Sequence, residues 1–210
     1  MRAVAGRWLD VAGPAAAQAQ RADAAKGIDG ERAFRRQAEK RDFLNRLGVA
    51  NAAKTLARLP EPNETVHVLM SGNFAGWDWV RAVIDLASPA FVRHLAVATL
   101  GFNAENAHEL LTLIDDRTIR GVDFLCSHYF KSTTPETFGP LEEALVKRGQ
   151  RIRATRNHAK LILMQMSDGR SIVIDGSMNL RSCRNVEQVN ITDSGELYLF
   201  YLDYIQEAVA

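Results

Sequence analysis

The chain has 210 residues, 47% of them hydrophobic and 24% charged, with a formal net charge of +1. That balance excludes an intrinsically disordered chain and leaves enough apolar residues for a real core. The lack of any apolar run of about 18 residues excludes a transmembrane helix, so no membrane insertion is expected.

The small net charge hides an asymmetry: residues 1–60 carry twelve Lys and Arg against six acids, while residues 61–210 are net acidic. Residues 1–29, rich in Ala, Gly and Gln, are expected to form a disordered tail. Ala17-Gln18-Ala19 has the small-residue look of a leader cleavage site, but Arg7 and Asp10 interrupt the apolar core such a leader needs. Residues 30–60 read as a basic helical extension. Phe34, Ala38, Leu44 and Leu47 recur at roughly helical spacing, with Arg32, Arg35, Arg36, Lys40, Arg41 and Arg46 among them. Such a segment could track a phosphate backbone, form a solvated helix face, or pack on the acidic body of a partner subunit. Pro60-Glu61-Pro62-Asn63 marks the boundary with a domain over 61–210.

Beyond that boundary strand and helix patterns alternate, which argues for an α/β protein. Val66–Met70 reads as a strand, and Trp77, Val80, Ile84 and Ala87 follow at helical spacing. Leu95–Leu100 is a second strand; Ala107, Leu110, Leu111 and Ile114 form the stripe of a second helix. Val122–Cys126 is a third strand, and Leu141, Ala144 and Leu145 mark a third helix. Arg151–Thr155 is a short strand. Leu161–Met166 and Ser171–Asp175 form a hairpin through the Ser167-Asp168-Gly169-Arg170 corner. Val189–Thr192 adds a strand, after which Asp193 and Glu196 suggest a capping box opening a last helix through Leu197, Tyr201, Tyr204 and Ile205. Cys126 and Cys183 stand in no CxxC pattern, and they read as a buried strand residue and a loop residue of a reduced, cytoplasmic protein.

Open α/β sheets bind ligands beyond the carboxyl ends of their strands. Three such ends carry Ser71-Gly72-Asn73-Phe74, Thr99–Asn103 and Ser127–Lys131, which makes Asn73, Phe74 and Lys131 candidate substrate-binding residues. An aromatic ring there can stack on a base and a lysine can meet a neighbouring phosphate. Trp77 reads as core and His128 as a loop-capping residue, and His67, His94 and His108 are given no role.

The densest chemistry lies in His158-Ala-Lys160, Gly176-Ser177-Met178-Asn179 and Asn185-Val186-Glu187. Strand periodicity puts His158 and Lys160 on one face, and likewise Ser177 and Asn179, and the hairpin brings the pairs side by side. Together they offer a phosphodiester a cation, neutral donors and an imidazole that titrates near neutrality, with Glu187 to orient it; no metal or other cofactor is required.

This pattern resembles the HKD signature of the phospholipase D superfamily over roughly residues 64–208. The resemblance implies one half of that family's fold, a mixed sheet with helices on both faces. It implies His158 as nucleophile or general acid, Lys160, Ser177 and Asn179 as the phosphate clamp, and Glu187 as the orienting carboxylate. Where the family places an aspartate, five residues after the lysine, this chain has Gln165, and Asp168 is the nearest replacement. The single motif implies a homodimer with two copies of His158 facing across a two-fold axis. The leading expectation is a metal-independent nuclease; the alternatives are lipid phosphodiester hydrolysis or transfer, and a dimeric nucleic-acid-binding module with an idle site.

Overall fold

The computed structural model describes residues 48–71, 74–181 and 185–210. The tail expected over residues 1–29, the first part of the extension expected over 30–60, Asn73 and Cys183 lie outside the described residues. The chain divides between Leu44 and Asn45 into two compact units, and all described residues belong to the second.

That unit begins with helix α1, residues 48–56. Ala52 and Leu56, four apart and so on one face, are buried with Leu59 in the core. The expected boundary at Pro60–Asn63 lies inside this packed unit, where Pro62 bridges to Asp193. Strand β1 (Thr65–Ser71) and helix α2 (Gly76–Ala87) follow, then β2 (Val92–Ala98), α3 (Ala104–Asp115) and β3 (Val122–Ser127). Next come two helices, α4 (His128–Thr133) and α5 (Pro135–Lys147), and strands β4 (Arg151–Thr155), β5 (Leu161–Met166), β6 (Ser171–Gly176) and β7 (Val186–Asp193); helix α6 (Gly195–Val209) ends the chain.

The seven strands form one sheet in the order β1-β7-β6-β5-β2-β3-β4. The pairs β2/β3 and β3/β4 are parallel and the other four antiparallel, so the sheet is mixed as expected. One face packs against α1, α2, α3 and α5 through side chains such as Trp79, Leu110, Leu141 and Met164. The other face packs against α6, where Tyr198, Ile205 and Val209 meet Ala96, Leu125, Leu163 and Val173. Central strands β3 and β5 are therefore apolar on both sides, which is why they read as continuous hydrophobic runs. No helix among the described residues is long and apolar enough to cross a membrane.

Local chemistry sets the element ends. The Asp168-Gly169 corner closes the β5–β6 hairpin: Asp168 Oδ1 accepts the Arg170 N–H at 3.2 Å, and Gly169 takes a φ of +98°, open to residues without a Cβ. Asn103 caps α3, its Oδ1 accepting the Asn106 N–H at 2.8 Å while Asn106 returns a bond to the Asn103 N–H. The segment after β3, expected as a loop, is helical because Ser127 Oγ accepts the Phe130 N–H at 3.0 Å and so caps α4. The cap of α6 is Ser194, whose Oγ accepts the Leu197 N–H, rather than Asp193. The Asp193 carboxylate instead accepts the Ser171 N–H at 3.0 Å and ties the end of β7 to the start of β6. Strand β2 stops at Ala98 rather than running to Leu100, because the Thr99 hydroxyl turns the chain by bonding the Gly101 carbonyl.

Candidate active site

The sheet order brings the three sequence motifs to one edge. Leu161, which opens β5, lies opposite both Ala98 at the end of β2 and Asp175 near the end of β6. Val186, which opens β7, lies opposite Ser71 at the end of β1. The segments 157–160 and 177–181 and the start of β7 thus meet at the edge where the parallel strands β2, β3 and β4 end.

His158–Lys160 and Ser177–Asn179 are not in strands, as expected from periodicity, but on the loops entering β5 and leaving β6. What holds the first loop is Asn157, 4% exposed. Its Nδ2 donates to the Thr99 carbonyl at 3.1 Å, and its Oδ1 accepts the Ala159 N–H at 2.9 Å and the Tyr204 hydroxyl at 3.2 Å. The side chain replaces ladder bonds that a strand would have supplied. It leaves His158 exposed at the loop's crest. Lys160 curls back on the loop: Nζ donates to the His158 carbonyl at 2.9 Å and lies 3.3 Å from His158 Nδ1. Partial burial holds the Lys160 pKa below the ordinary lysine value, against the opposing pull of the Glu187 carboxylate.

The second loop is tied to β7 and to α2. Ser177 Oγ donates to Glu187 Oε2 and accepts the Gln188 N–H at 3.0 Å. The hydrogen bond of Glu187 therefore goes to Ser177, and none joins it to His158. The Asn179 and Leu180 carbonyls accept the Gly76 and Trp77 N–H groups at 3.1 Å each, at the first turn of α2. Gly76 is needed for that approach, since a Cβ there would fall on the Asn179 carbonyl. Asn179 Oδ1 is buried and has no hydrogen-bond partner among the described residues. A buried, unsatisfied amide oxygen costs free energy, so its presence at this edge points to a group aimed at something other than the fold.

Other expected residues are engaged elsewhere. Phe74 is half-buried and stacks on Trp79, ring centroids 5.9 Å apart. Lys131 pairs with Glu142 at 2.9 Å and sits over the Phe138 ring. Both are held by neighbours within their own helical layer. Asp168 lies in the hairpin turn beside Arg170, a whole strand length, about 20 Å, from His158. It cannot stand in for a carboxylate at the site. Gln165, at the same end of β5, exchanges bonds with the Arg170 carbonyl and the Ser171 hydroxyl.

Sequence reading missed Asn157 and Tyr204, whose roles depend on a contact between the His158 loop and the last helix that no spacing encodes. It also missed a cluster at the opposite ends of the strands. There Asp123, buried, receives bonds from Arg151 Nε and Nη2 at 2.5 Å and lies 3.0 Å from His94 Nε2, while His94 Nδ1 meets the Tyr198 hydroxyl. Burial pushes the Asp123 pKa up, but the His94 and Arg151 bonds outweigh it and hold it at about 2. Among the described residues no group of three or more His, Cys, Asp and Glu side chains is arranged to hold a metal ion.

No protein-family model and no curated protein matches the sequence. Among solved structures, the chain is similar to a phospholipase D family member, Nuc, from Salmonella typhimurium. The identity is 16% over 69% of this chain and 94% of that one, with a TM-score of 0.49. It is also similar to NucT from Helicobacter pylori, at 17% identity over 69% of this chain and 96% of that one, TM-score 0.48. A third is TrmBL2, an archaeal chromatin protein with a novel mode of DNA binding, at 12% identity over 84% of this chain and 64% of that one, TM-score 0.44.

Proposed function

We propose that this chain is a metal-independent phosphodiesterase of the phospholipase D superfamily, a nuclease that works as a homodimer with a phosphohistidine intermediate. The observation that carries the reading is the meeting, at one sheet edge, of an exposed imidazole 3.3 Å from a lysine with the Ser177–Glu187 pair and the buried, unpartnered Oδ1 of Asn179. The order of these residues in the sequence matches the HKD pattern.

In this reading a phosphodiester settles between the two loops, with its non-bridging oxygens on Lys160, Ser177 and Asn179. Lysine supplies the charge; Ser177 becomes a donor when its hydroxyl turns from Glu187 to the phosphate, and Asn179 when its amide presents Nδ2 rather than Oδ1. With Lys160 donating to Nδ1, a neutral His158 carries its proton on Nε2 and cannot attack through that nitrogen. An arriving phosphate draws the ammonium away and frees Nδ1 to take the proton, so that Nε2 becomes the nucleophile. Nε2 then attacks phosphorus, and the bond to the leaving ester oxygen breaks. His158 of a second copy, in its imidazolium form, gives that oxygen its proton and afterwards takes one from the water that cleaves the phosphorus–nitrogen bond. One chain offers one such histidine, which is the reason for the dimer.

The test is hydrolysis of bis(p-nitrophenyl) phosphate and of single- and double-stranded DNA and RNA in EDTA, beside a phosphatidylcholine substrate. Turnover in EDTA that His158→Ala removes, with acid-labile phosphate trapped on His158, is the expected result. Activity that disappears in EDTA, or survives His158→Ala, overturns the mechanism. Preference for the lipid overturns the nuclease assignment. Sedimentation velocity is expected to give a dimer, and a fully active monomer refutes the shared site.

A further inference from the structure

Most of the arginines described here are neutralised by a carboxylate or laid on a carbonyl or ring. Arg58 pairs with Glu64, Arg81 with Glu109, Arg148 with Asp115, Arg151 with Asp123 and Arg170 with Asp168, while Arg93 donates to a carbonyl and Arg120 covers the Phe91 ring. Among the described residues four have no such partner: Arg117, Arg153, Arg156 and Arg181. All four are exposed, so position and not exposure separates them. Arg117 sits in the turn after α3, at the other end of the strands. The remaining three bracket the candidate site. Arg153 is on the edge strand β4, Arg156 is two residues before His158, and Arg181 is two residues after Asn179.

Their order in space follows from the sheet. The chain leaves β4 at the sheet's edge, passes Arg156, is pinned by Asn157 to Thr99 just beyond β2, and enters β5 after Lys160. Strand β6, next to β5, ends at the Ser177–Asn179 loop and Arg181. The unpaired arginines therefore run from the middle of edge strand β4, where Arg153 lies opposite Leu125, past Arg156 and across the strand ends to Arg181 beyond β6, about 19 Å at the ordinary strand spacing, with His158 and Lys160 between Arg156 and Arg181.

One phosphodiester needs only the clamp at the centre. Guanidinium forks on both sides, left without counter-charges, suit a ligand that carries further phosphates in both directions. We propose that Arg153, Arg156 and Arg181 form a track for a nucleic-acid strand laid across the sheet edge, with the scissile phosphate at His158 and flanking phosphates on the arginines. The track names the substrate of the phosphodiester reading above and rests on it for the position of the scissile bond. The strand-binding itself does not depend on turnover.

Binding of fluorescein-labelled single-stranded oligo(dT) to the full-length chain, in a His158→Ala background that prevents cleavage, tests the track across a salt series. Each phosphate contact on a single strand contributes a slope of about −0.7 to log K against log salt. The triple variant Arg153→Gln/Arg156→Gln/Arg181→Gln is expected to lower the slope magnitude by about 2. At about 0.1 M salt this is roughly a 100-fold loss of affinity relative to the parent, closing towards 1 M. Arg117→Gln is the control, expected to leave both unchanged. An unaltered slope in the triple variant, or an equal loss in the Arg117 variant, overturns the proposal. So does arginine-dependent binding to phosphatidylglycerol vesicles without binding to the oligonucleotide. If the wild-type chain hydrolyses no diester while the triple variant still loses its slope, the phosphodiesterase reading fails and the track stands.

Discussion

Replacing Asn157 tests whether the His158 loop is held by one buried side chain. Asn157→Ala removes three hydrogen bonds, at 2.9, 3.1 and 3.2 Å, and leaves two groups without an evident replacement, the buried Thr99 carbonyl and the half-buried Ala159 N–H. The third partner, the Tyr204 hydroxyl, is on an exposed residue and can turn to water. An unsatisfied buried group costs about 1–3 kcal/mol, so the substitution is expected to destabilise the fold by roughly 3 kcal/mol. For a unit of this size that is a fall in Tm of about 6–12 °C. Tyr204→Phe removes only the water-replaceable bond and is expected to cost about 1 kcal/mol. Because the lost bonds fix the backbone on both sides of His158, misplacement of the imidazole should cost about 100-fold in kcat, with a smaller change in KM. Thermal unfolding by circular dichroism and bis(p-nitrophenyl) phosphate kinetics in EDTA read the two effects separately. A variant that melts within about 2 °C of the parent at undiminished kcat refutes the anchoring argument, as does a Tyr204→Phe loss equal to that of Asn157→Ala.

Two buried carboxylates give pH dependences of opposite sign, best read as the difference in urea stability between the parent and a single variant. Burial pushes the Asp78 pKa up to about 6, helped by the charge of Glu109 and opposed by the Ala75 N–H bond. The folded state then holds a proton that the unfolded chain has released from about pH 4 upwards. Stability contributed by Asp78 therefore falls as pH rises through that window, by about 3 kcal/mol in total. Asp78→Asn should gain on the parent between pH 4 and pH 6.5, and a gap that narrows over that range would contradict the assignment. Asp123, held at about 2 by His94 and Arg151 despite its burial, behaves in the other direction. Its contribution is complete above the unfolded value and lost as pH falls from about 4 to about 2, amounting to about 2 kcal/mol. The parent should exceed Asp123→Asn clearly at pH 6 and approach it near pH 2.5; a constant difference would count against the His94–Asp123–Arg151 network as its source.

The inner strands β3, β5 and β6 were legible because burial on both faces makes them short apolar runs, and the edge strand β4 because arginines alternate with apolar residues along it. Arg151–Thr155 and Leu161–Met166 were expected at the bounds observed; the alternation gave the α/β class, and the mixed sheet with helices on both faces was what the resemblance implied. Their ends were harder, because they are decided by single side chains: Ser127 capping a helix where a loop was expected, Ser194 rather than Asp193 opening α6, Thr99 ending β2. Periodicity put His158 beside Lys160, and they lie 3.3 Å apart on a loop rather than on a strand face, whereas Ser177 bonds Glu187 and Gln188 and the Asn179 carbonyl bonds α2. The two pairs share one sheet edge because the antiparallel register brings two loops together, not because they alternate along strands. The partners of Phe74, Lys131 and Asp168 lay beyond reach for another reason. Trp79, Glu142 and Arg170 compete for those side chains locally, and a reading based on strand ends has no means of weighing such competition.

The two ends of the sheet illustrate a division between folding and chemistry. At the end away from His158 most charges are neutralised in place, Asp123 by Arg151 and His94, Asp168 by Arg170 and Glu64 by Arg58, with Arg117 the exception. At the His158 end the pattern reverses. Lys160 is partly desolvated with only imidazole and carbonyl partners, Asn179 Oδ1 is buried without one, and Arg156 and Arg181 face solvent unneutralised. The partly desolvated Lys160 and the buried Asn179 Oδ1 are costs to the folded state, whereas the solvent-facing guanidiniums are hydrated and cost it nothing. An anion bearing several oxygens supplies charge to Lys160 and the guanidiniums, but its oxygens cannot satisfy Asn179 Oδ1, itself an acceptor. To reach Asn179 it must present a hydrogen-bond donor or let the amide turn its NH2 group inward. In the proposed reading, one polyanionic strand would answer both the phosphate clamp and the arginine track.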